Sequence, residues 1–133
     1  SEDGTVWEVW FEGDTAWSSH GGTSPYVEAV GVLPGQTRHL SPDILLISSG
    51  NRAVSIECKY SRDADYVRTG VVEAMAYAAD LSPVLAHRVD SLTVTSLDIA
   101  ETGTGGSVFS GDLLVCSVAG LRKYVKSVLE SSD

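Results

Sequence analysis

Polar and apolar residues alternate over residues 5–12, Thr-Val-Trp-Glu-Val-Trp-Phe-Glu, and aromatic and β-branched side chains dominate there. That pattern predicts a first strand, with Trp7, Val9 and Phe11 on one face and Glu8, Trp10 and Glu12 on the other. A glycine- and serine-rich stretch over 13–25 follows, and residues 26–33 predict a second, weaker strand ended by Pro34-Gly35. Two apolar runs, 44–47 and 53–60, flank Ser48-Ser49-Gly50-Asn51-Arg52, whose Gly and Asn suit a chain reversal. They predict a hairpin. Along its second arm Val54, Ile56, Cys58 and Tyr60 share one face, and Ser55, Glu57 and Lys59 share the other.

The period then changes. Val67, Val71, Ala74, Ala78 and Leu81 follow i, i+4, i+7, i+11 and i+14, so a helix is expected over about 66–81. Asp63 or Asp65 can cap its start, and Ser82-Pro83 is the expected end. Residues 91–99 predict a strand and 101–111 a glycine-rich connector. Residues 112–118 predict a last apolar strand, and 121–129 a short amphipathic helix. Strands, helix, strands and helix in that order predict an α/β sandwich with a mixed central β-sheet flanked by helices.

At 133 residues, with 43% hydrophobic and 20% charged residues, the chain reads as a single domain over residues 1–133. No run approaches the ~20 apolar residues that span a bilayer, so no membrane partner is expected. The first residues do not resemble a signal peptide. Cys58 and Cys116 sit singly inside apolar runs and are expected to be reduced core residues of an intracellular, cytoplasmic protein. The net charge of −9 argues against unaided binding of long duplex DNA. Four cations, Arg52, Lys59, Arg62 and Arg68, nevertheless lie in or beside the hairpin. Arg122, Lys123 and Lys126 form a second group on the last helix, where a solvated face is the plain reading.

The hairpin carries the chemistry. Asp43 heads its first arm, while Glu57 and Lys59 end its second, so strand pairing brings two carboxylates and one amine to a single point. A divalent-metal phosphodiesterase needs that trio. Mg²⁺ is held by one or two carboxylates together with water and phosphate. Asp43 and Glu57 are the candidate ligands, with the Cys58 carbonyl at the same strand edge, and Mn²⁺ is the expected substitute. Lys59 is placed to orient water and to stabilise charge on the reacting phosphate. A structural salt-bridge cluster is the bland alternative.

Pro42-Asp43, thirteen intervening residues, then Glu57-Cys58-Lys59 resembles the signature of the PD-(D/E)XK, restriction-endonuclease-like nuclease superfamily. The resemblance covers about residues 40–81 and implies a restriction-endonuclease-like sandwich. It also implies metal binding at Asp43 and Glu57, catalysis by Lys59, and DNA as substrate. Restriction or defence is the role the superfamily suggests, and RNA is an alternative substrate. Some branches carry a Gln-x-x-x-Tyr pair on the next helix. Here the matching residues are Glu73 and Tyr77, so the first position departs from that pattern. Glu73, Tyr77 and Arg62 are the expected accessory or substrate residues, and an exposed Glu with a half-buried Tyr is the competing reading. The superfamily's usual first helix has no counterpart before Thr5, which suggests one domain of a larger protein, working with other domains or subunits or as a homodimer. Glu8, Glu12 or a residue outside the chain would supply a third acid. From a different class, a nuclease-like interaction or assembly module with little cleavage is the alternative function. His20 and His39 before the motif read as incidental, Gly103-Thr104-Gly105-Gly106 as a connector, and Trp7, Trp10 and Trp17 as core before base-stacking groups.

Overall fold

The alternating segment forms β1, Trp7–Phe11, and the hairpin forms β2, Ile44–Ser48, and β3, Arg52–Lys59. The computed structural model describes residues 4–12, 20, 22–35, 40–85, 88–99, 106–108 and 111–130. The remaining elements are α1, Pro25–Val30; α2, Ala64–Leu85; β4, Arg88–Thr95; β5, Ser107–Val108; β6, Gly111–Cys116; and α3, Val118–Glu130. The strands lie in the order β1-β2-β3-β4-β6-β5, the last only two residues long. Pairing is antiparallel from β1 to β3 and parallel from β3 through β4 to β6. The sheet is therefore mixed, as the order of segments predicts.

A helix covers each face. Leu45, Ile47, Ala53 and Val89 pack with Tyr77, Ala78, Leu81 and Leu85 of α2, and Trp10 joins them from β1. On the opposite face Leu46, Val54, Ile56, Leu92, Val94 and Cys116 pack with Val128, Leu121, Tyr124 and Val125 of α3, and Trp7 joins that cluster. Successive strand residues alternate between these two cores, so β2, β3 and β4 are buried on both faces, although Ser55, Glu57, Ser91 and Thr93 place polar side chains on the α2 side of β3 and β4. No helix among the described residues is long and apolar enough to cross a membrane.

Several expected boundaries change. Part of the weak strand over 26–33 is instead helix α1. Ser24 caps it, accepting from Val27 N, and Pro25 stands at its first position. Buried Asp80 of α2 fixes this helix, accepting from Ser24 Oγ and Tyr26 N at 2.7 Å each. Ser82-Pro83 does not end α2. The helix runs on to Leu85, because Leu81 and Leu85 are buried against the sheet and outweigh the interior-proline cost of about 3 kcal/mol. Asp63 is the residue at its start, accepting from Asp65 N. Strand β4 begins three residues earlier than expected and stops at Thr95, whose hydroxyl turns to the loops and bonds Ser61 O and Leu97 N. The expected connector over 101–111 contains β5. Gly103, Thr104 and Gly105, with Trp17 and His39, lie outside the described residues.

At the amino ends of β3 and β4 the sheet is tied by one buried acid. Asp90, wholly buried, accepts from Arg52 Nε and Nη2, Arg88 Nε, Asp112 N and the Tyr124 hydroxyl. Burial alone would raise its carboxyl. The Tyr124 hydroxyl, the Asp112 N–H and Arg52 overcome that and hold it below the usual carboxylate range. Arg52, counted in the sequence among the cations near the motif, is thus engaged at the far end of β3. Removing Asp90 strands the Arg52 guanidinium and the Tyr124 hydroxyl, while Arg88 keeps its pair with Asp112. Asp90→Ala is expected to cost about 3–5 kcal/mol in urea unfolding, whereas Arg68→Ala, which breaks the exposed pair with Asp65, costs less than about 1 kcal/mol. The Asp90 contribution is present above the ordinary carboxylate pKa and is lost as pH falls through the lower, folded value. Asp90→Asn should therefore flatten the acid limb of stability against pH.

Candidate functional site

Asp43, Glu57 and Lys59 converge where the hairpin meets α2. The β2–β3 register places Ile44 opposite Ile56, and continuing it by one residue sets Asp43 opposite Glu57. A hydrogen bond holds that arrangement: Cys58 N donates to Asp43 Oδ2 at 2.8 Å. The same end is closed from β1, where Glu12 N donates to Asp43 O at 3.0 Å with Glu12 in the left-handed region at φ 51°. Glu8 is placed elsewhere. It stands opposite Ile47, and its carboxylate lies 3.2 Å from Trp10 Nε1 and 3.1 Å from His20 Nε2. Of these two acids Glu12, just past the end of β1, is the one at the site's end of the sheet.

Lys59 is clamped. Its Nζ lies 3.5 Å from Glu57 Oε1, 3.3 Å from Glu73 Oε2 and 4.9 Å from the centre of the Tyr66 ring. Burial works against the ammonium, but Glu73 and Glu57 outweigh it, so its pKa is raised and the charge is kept. Glu73 is therefore not the free surface acid of the competing reading. Tyr77, one turn further along α2, is buried rather than half-buried. Burial, followed by the Glu57 and Glu73 charges, holds its hydroxyl well above the normal tyrosine range. The helical i, i+4 spacing that links Glu73 to Tyr77 does bring both to the two hairpin acids.

Glu57 is the unusual group. It is 3% exposed, and its Oε2 is buried without a hydrogen-bond partner. Burial first, then the Asp43 carboxyl, push its pKa from 4.5 to about 7, against the opposing pull of Lys59. A buried carboxyl in that state takes either a proton or a cation. Among the described residues no group of three or more His, Cys, Asp or Glu is arranged to hold a metal ion. Mg²⁺ does not require such a cage, being held by one or two carboxylates with water and phosphate. Asp43 and Glu57, with an orphaned buried oxygen between sheet and helix, fit that ion.

No protein-family model matches the chain, and no curated protein matches it. The site therefore rests on its own geometry.

Two expectations need correction and one structural feature escaped the pattern. Cys58 is exposed, not core: it shares the α3 face with Val54 and Ile56 but lies next to the end of β3, beyond the cluster that α3 covers; Cys116 is buried. Arg68 pairs with Asp65 on α2, away from the acids. The missed residue is Gly70, buried on α2 directly above Lys59. A methyl group there would overlap Lys59 Cγ and lie 3.1 Å from Thr93 Cγ2. Glycine in a helix interior costs about 1 kcal/mol relative to alanine, so a glycine inside the expected helix was the available signal.

Gly70→Ala should reverse the usual sign of that substitution. It is expected to destabilise by about 1–3 kcal/mol through overpacking, read by urea unfolding, and to displace the Lys59 side chain. A gain in stability would show that the clamp has slack. A second expectation follows from Glu57. Its folded pKa lies above the ordinary value, so its contribution is full below about pH 4 and is lost as pH rises through about 7. In EDTA, stability should decline across that window, and Glu57→Gln should remove the decline.

Proposed function

We propose that this chain is a Mg²⁺-dependent nuclease domain of the PD-(D/E)XK type, hydrolysing DNA phosphodiester bonds. The observation that carries the reading is the meeting of Asp43, buried Glu57 and clamped Lys59 on one sheet face, with Glu57 Oε2 unpartnered. The mixed sheet with a helix on each side is compatible with a restriction-endonuclease-like sandwich.

Asp43 and Glu57 would hold the cation, with the Cys58 carbonyl as a further candidate oxygen. Mg²⁺, or Mn²⁺ in its place, supplies Lewis-acid polarisation of the phosphoryl group and a more acidic water. Lys59 donates hydrogen bonds to the attacking water and to the phosphoryl oxygens as negative charge builds on them. Glu73 keeps that lysine charged and pointed at Glu57. Tyr77 closes the helix side of the site and limits solvent at the acids. RNA is the alternative substrate. The net charge of −9 favours a partner in substrate binding, supplied by further domains, other subunits or a second copy. The exposed thiol of Cys58 suits a reducing, cytoplasmic setting.

The second reading is a nuclease-like interaction or assembly module, and the acidic charge is the observation that favours it. Metal-linked stability separates the two. A cation that binds only the folded state stabilises it by about 2.7 kcal/mol at a hundred times its dissociation constant. Mg²⁺ or Mn²⁺ should raise the melting temperature over that in EDTA. Asp43→Asn should abolish the rise and leave the metal-free protein at least as stable as the parent. With supercoiled plasmid, Mg²⁺ should support cutting that EDTA stops, weakly for this chain alone and more strongly for a dimer or a longer polypeptide. Lys59→Ala should lower the rate by roughly 10²–10³-fold, the scale of one transition-state donor. Identical melting curves with metal and with EDTA would favour the module.

A further inference from the structure

The carboxyl ends of parallel strands β4 and β6 open into a cavity of about 610 Å³, lined by Arg62, Ser96, Leu97, Asp98, Ile99 and Ser117. It shares an end of the sheet with the acids. Lys59 is opposite Thr95, and Val94 is opposite Cys116, so Ser96 and Ser117 continue the edge on which the motif ends. Adjacent strands are about 4.8 Å apart, which places the β6 edge about 10 Å along the sheet from Lys59. Crevices at the carboxyl ends of strands are where open α/β sheets take ligands, and the volume is in the range of small-molecule sites.

The cavity wall is held together by Thr95. Its hydroxyl donates to Ser61 O and accepts from Leu97 N, both at 3.0 Å, so the loop carrying Arg62 is fastened to the loop carrying Leu97–Ile99. Among the cations in or beside the hairpin, charge pairing then singles out Arg62. Arg52 is taken by Asp90, Arg68 by Asp65, and Lys59 by Glu57 and Glu73. Among the described residues Arg62 makes no ion pair, although Asp98 lines the same cavity. In a chain of net charge −9, an uncommitted guanidinium three residues past the motif lysine is a selective attractor for an anion.

We propose that this cavity is a nucleotide subsite of the nuclease reading given above, taking the DNA nucleotide next to the scissile phosphodiester. That nucleotide's phosphate meets Arg62, its sugar and base lie against Leu97 and Ile99, and Asp98 with Ser96 offers an acceptor and a donor to the base edge. Arg62 attracts the phosphate and Asp98 repels it, so the phosphate settles at Arg62.

The test is a titration of fluorescein-labelled single-stranded hexadeoxynucleotide into the chain in EDTA, read by anisotropy, with cleavage kinetics in Mg²⁺ measured alongside. Arg62→Glu should weaken binding roughly tenfold or more, the loss of one charged phosphate contact. Ile99→Ala should weaken it without any change of charge. Arg68→Glu changes the net charge equally but lies off the cavity, and should have a much smaller effect. Equal losses from Arg62→Glu and Arg68→Glu, or no binding by the parent chain, overturn the subsite. Cleavage by the parent with an unchanged KM in Arg62→Glu overturns it while sparing the nuclease reading. Selective loss of binding in Arg62→Glu, with no cleavage by the parent, upholds the nucleotide site and rejects the nuclease.

Discussion

The antiparallel register of β2 against β3 is the constraint on which the site depends. Leu45 and Ile47 must face α2 while Leu46 faces α3, and the pairing with Ala53–Ile56 satisfies both cores. That same pairing delivers Asp43 to Glu57. A slip of one residue would turn Leu45 and Ile47 out of their core and carry Asp43 to the opposite face. The site therefore needs no interactions of its own to bring its acids together. Apolar packing does so from both sides of the sheet, and the Cys58 N–H to Asp43 bond only fixes the last detail.

The two ends of the sheet treat a buried acid in opposite ways. Asp90 is surrounded by donors on every side, its charge is matched by Arg52 and Arg88, and its carboxyl is held low. Glu57 has one cationic neighbour, Lys59, which it shares with Glu73, one unpartnered oxygen and another carboxylate beside it, and its carboxyl is pushed high. The chain had the means to satisfy both. It spends Arg52 and Arg88 on Asp90, at the amino ends of the parallel strands, and gives Glu57 only the shared Lys59. A buried polar network that is complete makes a rigid joint, while an incomplete one carries a standing attraction for a proton, a cation or a cationic partner. Asp90 fits the first description and Glu57 the second.

What the sequence reveals follows the range of the interactions concerned. Period two over residues 5–12 and 53–60, and period 3.6 from Val67 to Leu81, are local, and the corresponding elements are present. The spacing of Pro42-Asp43 to Glu57-Cys58-Lys59 converts directly into proximity because a short hairpin joins them. Glu73 and Tyr77 reach the same point because an i, i+4 pair on a helix shares a face. The misreadings have distant causes. Helix α1 is anchored by Asp80, 54 to 56 residues away along the chain, so no window around residues 24–30 contains its reason to be helical. Leu85 carries α2 past Pro83 through contacts with Ile47 and Val89, which propensity does not see. Arg52 looked like part of the motif by position, yet an eight-residue strand puts its two ends about 23 Å apart.

The placing of Lys59 bears on how an acidic domain could handle a phosphodiester at all. An ammonium between Glu57 and Glu73, against the Tyr66 ring, contributes no net attraction at a distance, since its charge is already answered twice. On the nuclease reading, long-range capture comes from elsewhere, from Arg62 at the edge or from a partner. At contact the balance changes. Glu73 is about one-third exposed and its pair with Lys59 is partly screened, whereas Glu57 is buried and its interaction is not. A phosphoryl oxygen arriving from solvent therefore competes with Glu73 rather than with Glu57 for the lysine's protons. The lysine stays anchored to the buried acid while its outward donors change partner, and Gly70 leaves the lane along the helix in which its chain lies. On the nuclease reading this is a lysine kept quiet in the resting domain and presented only to a substrate already in place. Specificity then depends on what brings the phosphate there, rather than on the lysine itself.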